Sequence, residues 1–468
     1  MSDVQKNVEI ELKLLLGKRE LKKLLASELL KGVLRAGSEK KRNLVSSYYD
    51  TADLAFKKNG VAYRVRDKGD GSFEATIKTD RKSSGGLSER VEINIPLAED
   101  KAVIEGFGEM GLGFELTELA PNGVEKLFTV DVVRTTYILD LDGAVAELAI
   151  DNGKIIAGKR KDDIDEIEIE LVEGEVGALM NFAAKMAELV PVFTEKRSKF
   201  ARGLALLGME SDLASGKVKV DNEGNARLEV LKLVHQRGDS LLLLQNALKK
   251  TADTGAVKQL VKDLQFIRSY VEFGKVFAPA EAADKALALA DEVLTAAVKL
   301  QDIWNLVDLW EELVEKAEVL SNNVLAKNLA ACQEAAQEEL CKLMAKGELS
   351  VLVYNVVSWL YQAEWQNEEY LQMESTVRCR LQDWEDELET CQEAETKLAL
   401  LTNYQCLAKS VSGKAISKLV EVKKKERRKI AEAAAKERAM NFVQVLSKNS
   451  NSRVLNRDAG VIIGYLLK

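Results

Sequence analysis

Hydrophobic and polar positions alternate with period two in short runs over the first two hundred residues, and a helical period replaces this pattern further on. The first run is Val8-Glu9-Ile10-Glu11-Leu12-Lys13-Leu14. Val8, Ile10, Leu12 and Leu14 fall on one side and Glu9, Glu11 and Lys13 on the other, as in a strand with two unlike faces. Same-face neighbours on a strand stand roughly 7 Å apart, so two carboxylates and an ammonium form a row. This run alone fits both a solvated outer face and a charged inner one.

Alternation predicts further strands at Val45–Asp50, Val61–Asp67, Phe73–Thr79, Leu87–Ile95 (ended by Pro96), Phe128–Leu141, Ala144–Asp151, Lys154–Gly158 and Glu166–Val172. Asp70-Gly71, Asp142-Gly143 and Asn152-Gly153 are turn signals between them. Lys18–Lys31, with Leu21, Leu24, Leu25 and Leu29 along one side, Lys101–Met110 and Val176–Leu189 are expected to be helical. Roughly eight antiparallel strands with short turns fit a closed or nearly closed β-barrel, because closure removes exposed edges. From Ala226 onward the apolar residues recur at helical spacing, which predicts a bundle of antiparallel helices. Ser211–Asn225 lacks either period and is expected to be a linker. The expected class is α+β: a β-barrel with flanking helices over residues 1–210, a linker over 211–225, and an all-α bundle over 226–468.

Composition narrows the chemistry. A chain of 468 residues is too long for one core. Its net charge of −8 disfavours a general nucleic-acid binder. No apolar run approaches the roughly 18–20 residues that span a bilayer, and the N-terminus lacks a signal-peptide pattern, so a cytoplasmic protein without membrane partners is expected. Five cysteines without a CxxC pair indicate reduced thiols. The one histidine is His235, and the first 230 residues contain neither His nor Cys. Chemistry there must use carboxylates, Lys, Arg, Tyr or hydroxyls, and any metal must accept hard oxygen donors: Mg²⁺, Mn²⁺ or Ca²⁺. Glu421–Ala439 is a charge-dense helix, a solvated face or a polyanion patch.

Nearly every predicted strand repeats the charged spacing of the first. Arg64 and Arg66 share a face, as do Glu74, Thr76 and Lys78, Arg90 and Glu92, Glu147 and Asp151, and Glu166, Glu168 and Glu170. On an outer face such residues would form cross-strand pairs of roughly 0.2–1 kcal/mol each. Facing inward, they would be costly to desolvate unless paired or ligand-bound. A lumen of both signs calls for a ligand needing both, such as a polyphosphate–metal complex, with Arg and Lys on phosphate oxygens and carboxylates on the cation. The chain has no P-loop.

These motifs resemble, in order, the pattern of the CYTH superfamily, the triphosphate tunnel metalloenzymes. Glu9-Ile10-Glu11-Leu12-Lys13 matches the ExExK signature. Ser47-Tyr48-Tyr49-Asp50-Thr51 with Leu54 is similar to the family's YYDT segment. Gly60 to Arg66 is similar to G-x-x-L-R-x-R, with Tyr63 where Leu is usual. Thr76-Ile77-Lys78, Arg90-Val91-Glu92, Arg134, Glu147 to Gly153, Glu168 to Leu171 and Ser198-Lys199 match the later elements, so the resemblance spans about residues 5–208. It implies an eight-stranded antiparallel tunnel that acts on triphosphates with Mg²⁺ or Mn²⁺. Carried over by position, Glu9, Glu11, Glu168 and Glu170 would be metal-side carboxylates, with Glu147 and Asp151 supporting them or orienting water. Arg64, Arg66, Lys78, Arg90, Arg134 and Lys199 would hold phosphates, and Lys13 would contact phosphate or help activate water.

The domain order resembles bacterial CYTH–CHAD proteins of the inorganic triphosphatase type. The CHAD module binds polyphosphate through histidines and many basic residues. Here Val234-His235-Gln236-Arg237 is a remnant of its opening H-x-x-R and no other histidine exists, so a packing or supporting role fits better than polyphosphate binding. The resemblance makes hydrolysis of inorganic triphosphate the first expectation. Nucleoside or thiamine triphosphatase, adenylyl cyclase and a non-catalytic polyphosphate-binding protein are the alternatives.

Overall fold

The computed structural model describes residues 5–79, 82–84, 87–107, 115–209, 218–275, 280–316, 323–361, 371–411, 414–448 and 453–467. The chain forms two compact units, Met1–Lys217 and Val218–Lys468.

The first unit runs β1 (Gln5–Leu15), α1 (Lys18–Ala26), α2 (Glu28–Lys31), β2 (Lys40–Asp50), α3 (Ala55–Lys58), β3 (Ala62–Asp67), β4 (Phe73–Lys78), β5 (Lys82–Ser84), β6 (Leu87–Leu97), α4 (Leu116–Leu119), β7 (Glu125–Leu141), β8 (Ala144–Ala157), β9 (Arg160–Gly174), α5 (Val176–Leu189), β10 (Phe193–Thr194) and α6 (Lys199–Leu206). Eight strands pair in the order β1-β9-β8-β7-β2-β3-β4-β6, and β6 pairs back onto β1 from Gln5↔Asn94 to Leu12↔Leu87. The ring is a closed antiparallel barrel, with β5 added to β6 and β10 to β1.

Both faces of the barrel wall are covered. Outward residues of β3, β4 and β6 (Tyr63, Val65, Ile77, Ile93, Ile95) join Phe56 of α3 and Leu116 of α4 in one apolar cluster. On the opposite side α5 packs on β7, β8 and β9 and buries Leu179, Met180 and Ala183. Inside, the barrel is divided lengthwise. Leu44, Tyr48, Phe128, Val130, Val132, Ile155 and Ile164 fill one part together with Leu204 of α6, and charged residues fill the rest. Gly203 lets α6 press against this plug, since a Cβ there would lie 2.2 Å from Phe128 Cζ.

Several local expectations give way to tertiary context. Asn152-Gly153 is not a turn: β8 runs unbroken through it, with Val132↔Gly153 on one side and Gly153↔Ile164 on the other. Glycine serves here for close backbone approach, because a Cβ would sit 2.1 Å from the Asp131 carbonyl oxygen. Pro96 does not end its strand, since β6 continues to Leu97 with Pro96 opposite Glu74, close enough to the strand end for a missing N–H to be tolerated. Lys18–Lys31 is broken at Ser27, whose hydroxyl caps α2 by accepting from Leu30 N at 3.2 Å. The expected helix Lys101–Met110 is irregular through Phe107, and 108–110 lie outside the described residues. Ile104 and Phe107 are spent on the outer core, and the Tyr63 hydroxyl accepts from Val103 N at 2.9 Å, so that stretch is laid down as a strap.

The second unit is helical: α7 (Ala226–Leu248), α8 (Thr254–Gly274), α9 (Ala280–Glu315), α10 (Asn323–Lys346), α11 (Glu348–Tyr361), α12 (Met373–Thr390), α13 (Ala394–Ser410), α14 (Lys414–Lys448) and α15 (Arg453–Leu467). Asn225 caps α7 by accepting from Leu228 N, and Asp253 caps α8 through Ala256 N. Of the expected linker, 211–217 lie outside the described residues, as does Trp365. His235 is buried in α7 with Nε2 3.5 Å from the Tyr361 hydroxyl. Asp263, fully buried, accepts from Arg237, Ser240 and Gln259, so this interior charge is compensated. Among the described residues no helix is long and apolar enough to cross a membrane.

Candidate active site in the tunnel

The charged face of β1 is the inner one. Glu9, Glu11 and Lys13 are 7%, 1% and 2% exposed, values no solvated outer face would show. The pairing register sets their neighbours at roughly 4.8 Å per strand. Glu11 stands opposite Glu170, and Glu170 opposite Glu147, so three glutamates from three strands form one row. In the next row Lys13 faces Glu168, and beyond it Glu166 faces Asp151 and Asp151 faces Arg134. Across the other seam Glu9 faces Arg90, Glu92 faces Lys78, and Arg64 faces both Thr76 and Tyr48.

Two ion-pair clusters result. In the first, Glu9 accepts from Lys78 Nζ at 3.0 Å and from Arg90 Nε at 2.6 Å, and Arg90 Nη2 donates to Glu11 at 3.0 Å. Lys78 also meets Glu92, which lies 3.8 Å from Arg64. Burial works to raise the Glu9 carboxyl, but Lys78 and Arg90 outweigh it and hold it low; burial is likewise overcome at Glu92 by Lys78 and Arg64. In the second cluster Arg134 donates two parallel bonds to Asp151, at 2.7 and 2.6 Å, and also meets Glu168. Lys199 Nζ is 2.7 Å from Asp151 and 2.9 Å from Glu168, and it touches Glu166. Lys13 Nζ is 3.0 Å from Glu168, and Arg202 reaches Asp162 at 2.8 Å and Glu166 at 3.3 Å. The cations again win against burial: Lys199 and Arg134 bring Asp151 down to about 2. The oxygens of Asp151, Glu166 and Glu168 lie within 4.8 Å of one another, a spacing suited to a divalent cation. Here the Lys199 ammonium stands among them, so the trio is already compensated.

Charge of each sign is left over. Among the described residues, neither Glu147 nor Glu170 makes an ion pair. Burial, then the Glu9 charge, and further Glu92 and Glu11 push the Glu170 carboxyl up to about 7 against the pull of Lys78. Arg66 likewise has no carboxylate partner among the described residues; its Nε donates to Ser46 Oγ at 2.9 Å. Burial and the neighbouring Arg64 and Arg134 bring its guanidinium down to about 10. The Arg64 Nε is buried and unpartnered. The tunnel therefore holds an acidic row short of a cation and a basic group short of an anion.

Each residue expected at the site lies along this inner face; the sheet register and α6 bring all but Arg66 into the two clusters and the acidic row, and Arg66 stands beside Arg64 on β3. Glu92, Glu166, Arg202 and Tyr48 belong to the same surroundings and were not among the expected site residues. Glu92 and Glu166 share the period-two spacing that marked their neighbours, and Arg202 follows Lys199 by three positions, on the same helix face. The polar role of Tyr48 has no signal in spacing, because an inward tyrosine also fits an apolar core.

Residues 7–204 match the CYTH domain profile. The first unit carries this match to the CYTH domain. The chain is 32% identical over 163 residues to the inorganic triphosphatase of Haemophilus influenzae, a match that covers 35% of this chain and 46% of that protein, so the chain spans about half the length of the relative. Among solved structures, it is similar to a Hippeastrum protein described as an adenylyl cyclase with a dominant triphosphatase activity, at 22% identity and a TM-score of 0.30, covering 44% of this chain and 100% of that one. It is also similar to the CHAD domain of the plant Ricinus communis, at 11% identity and a TM-score of 0.43, covering 55% of this chain and 90% of that one. The CYTH match takes in the inner-facing residues of the barrel strands and Lys199 of α6.

Proposed function

We propose that the CYTH domain hydrolyses inorganic triphosphate to pyrophosphate and phosphate with Mg²⁺ or Mn²⁺. The observation that carries this reading is the pair of uncompensated groups in one buried tunnel: Arg66 beside Arg64 and Arg134 without a carboxylate, and Glu170 and Glu147, beside Glu11 in one row, without an ion pair among the described residues. A ligand that brings phosphate oxygens to the first and a divalent cation to the second answers both. The similarity to an inorganic triphosphatase supports the choice of substrate.

The donors fit the cation. Glu11 and Glu170 offer only hard oxygens, and burial, then the Glu9 charge, raises the carboxyl of Glu170, which no ion pair holds among the described residues. The Asp151–Glu166–Glu168 trio fits less well, since Lys199, Lys13, Arg134 and Arg202 already surround it. A divalent cation held by the acidic row supplies charge neutralisation at phosphate oxygens and lowers the pKa of bound water.

The remaining work falls to the chain. Arg64, Arg66, Lys78, Arg90, Arg134 and Lys199 hold the phosphate oxygens, and their fixed positions favour the charge that builds up in phosphoryl transfer. Water adds to the terminal phosphorus, the anhydride P–O bond to pyrophosphate breaks, and the water proton passes to Glu147, which no ion pair holds among the described residues. Lys13 faces the same phosphoryl group from the row of Glu168. Asp151, pinned by Arg134 and Lys199, anchors those two cations and orients the site. The tunnel-then-helices order gives the second unit a CHAD-like character with no catalytic group assigned to it.

The test is phosphate release from inorganic triphosphate, ATP and thiamine triphosphate, with Mg²⁺ or Mn²⁺ and after chelation. Release that needs the cation and is strongest on inorganic triphosphate is the expected result. Cyclic AMP from ATP would turn the assignment to a cyclase. Silence on all three with tight polyphosphate binding would turn it to a binding protein.

A further inference from the structure

Tyr48 joins the two halves of the tunnel interior. Its ring belongs to the apolar plug: it stacks on Phe128 at 4.9 Å and 21°, and on Phe200 of α6 at 5.7 Å and 28°. The residue is 6% exposed and stands directly opposite Arg64 in the β2–β3 register. Its hydroxyl end leaves the plug and lies within hydrogen-bonding reach of the Arg64 guanidinium, the group whose Nε is buried without a partner. Arg66, Lys78 and Lys199 also surround the phenol, and with Arg64 they outweigh burial and pull it below its usual range. Arg64 donates, so the phenol oxygen is the acceptor in that pair and its own O–H stays available. Among the described residues no acceptor takes that proton.

The position is thus a boundary. On one side the interior is filled by carbon; on the other stand the cations assigned to phosphate. A phosphate chain advancing along those cations meets the Tyr48 ring at the point where they end.

We infer that Tyr48 is the floor of the phosphate path, a specificity-determining residue whose hydroxyl donates to the innermost phosphate and whose clamped ring limits the number of phosphates the tunnel accepts. The inference rests on the triphosphatase reading and adds a residue and a chain-length rule to it. An uncharged donor suits that place, because it bonds a phosphate oxygen without adding to the repulsion among the four cations.

Two variants separate the roles. Tyr48→Phe keeps the ring and removes the donor, and Tyr48→Leu removes the stop. For Tyr48→Phe, in a variant whose folding is checked by circular dichroism, kcat/KM on inorganic triphosphate is expected to fall about tenfold or more, as for a lost hydrogen bond to a charged group. Calorimetric titration of triphosphate into chelated, non-turning-over protein should show a matching loss of affinity. For Tyr48→Leu, the ratio of kcat/KM on inorganic tetraphosphate to that on triphosphate should rise. Wild-type affinity in Tyr48→Phe together with a wild-type chain-length ratio in Tyr48→Leu overturns the inference and leaves the triphosphatase reading standing. A wild-type protein that releases phosphate from neither compound overturns both.

Discussion

Arg134 grips Asp151 from the neighbouring strand with two parallel hydrogen bonds, Nε to Oδ1 at 2.7 Å and Nη2 to Oδ2 at 2.6 Å. Asp151 is 1% exposed and also receives the Lys199 ammonium at 2.7 Å. One carboxylate therefore holds a strand cation and the plug helix α6 in place. Asp151→Asn keeps the shape and removes the charge, leaving two buried cations short of a partner. Breaking such a pair costs about 3–5 kcal/mol. Urea unfolding should show a loss in that range with an unchanged m-value; a loss below about 1 kcal/mol would mean that the cluster behaves as a solvated one.

Stability should pass through a maximum in mildly acid solution. Asp151, brought to about 2 by Lys199 and Arg134 against burial, and Glu9, Glu92 and Glu168, also held low, bind protons more weakly folded than unfolded. Their contribution is present above the ordinary carboxylate range and is lost as pH falls toward about 2. Glu170, raised to about 7 by burial and the Glu9 charge, has the opposite sign: its contribution is complete below the ordinary 4.5 and is lost as pH rises through about 7. Chemical denaturation of the metal-free protein across pH should find greatest stability between these limits. Glu170→Gln should flatten the decline on the neutral side and leave the acid limb in place.

Cation binding should release a proton near neutrality. The Glu11–Glu170–Glu147 row must shed the Glu170 proton before a divalent cation can use that carboxylate. Calorimetric titration of Mn²⁺ at pH 7 in two buffers of different ionisation enthalpy should give a fractional proton release. Glu170→Gln should abolish it. Buffer-independent heats in the wild-type protein would place the cation elsewhere.

How much of this was legible beforehand varies by residue. The inner faces could be read, because period two survives in every long strand and the charges of both signs keep to it. That closure turns those faces inward follows from the number of edges needing partners, and the burial of Glu11 and Lys13 bears it out. The rows could not be read, since faces follow from spacing within a strand while neighbours follow from register between strands. Glu11, Glu170 and Glu147 are far apart in the chain and meet only through two ladders. Asn152-Gly153 misled for a related reason: its local turn preference is overridden by partners on both sides of β8. Lys199 and Arg202 lie on a helix, and no strand pattern could show that α6 turns them toward Asp151, Glu166 and Asp162.

Arg66 should trade stability against function. It lies beside Arg64 and Arg134 with one neutral hydroxyl as partner, so Arg66→Met relieves repulsion in the empty tunnel. The melting temperature is expected to stay level or rise, while KM for inorganic triphosphate rises roughly tenfold through loss of a charge-assisted contact. A fall in melting temperature with unchanged KM would make Arg66 a structural residue.

The central claim is that the inward charges of the barrel hydrolyse inorganic triphosphate with a divalent cation. Its most direct measurement is the rate of phosphate release from inorganic triphosphate by the wild-type chain with Mg²⁺ or Mn²⁺, repeated after chelation and with Glu11→Gln, whose folding is checked by circular dichroism. Rapid release that stops on chelation and is lost in a folded Glu11→Gln variant is the predicted result. Equal release with and without chelator, or full activity in Glu11→Gln, would contradict it.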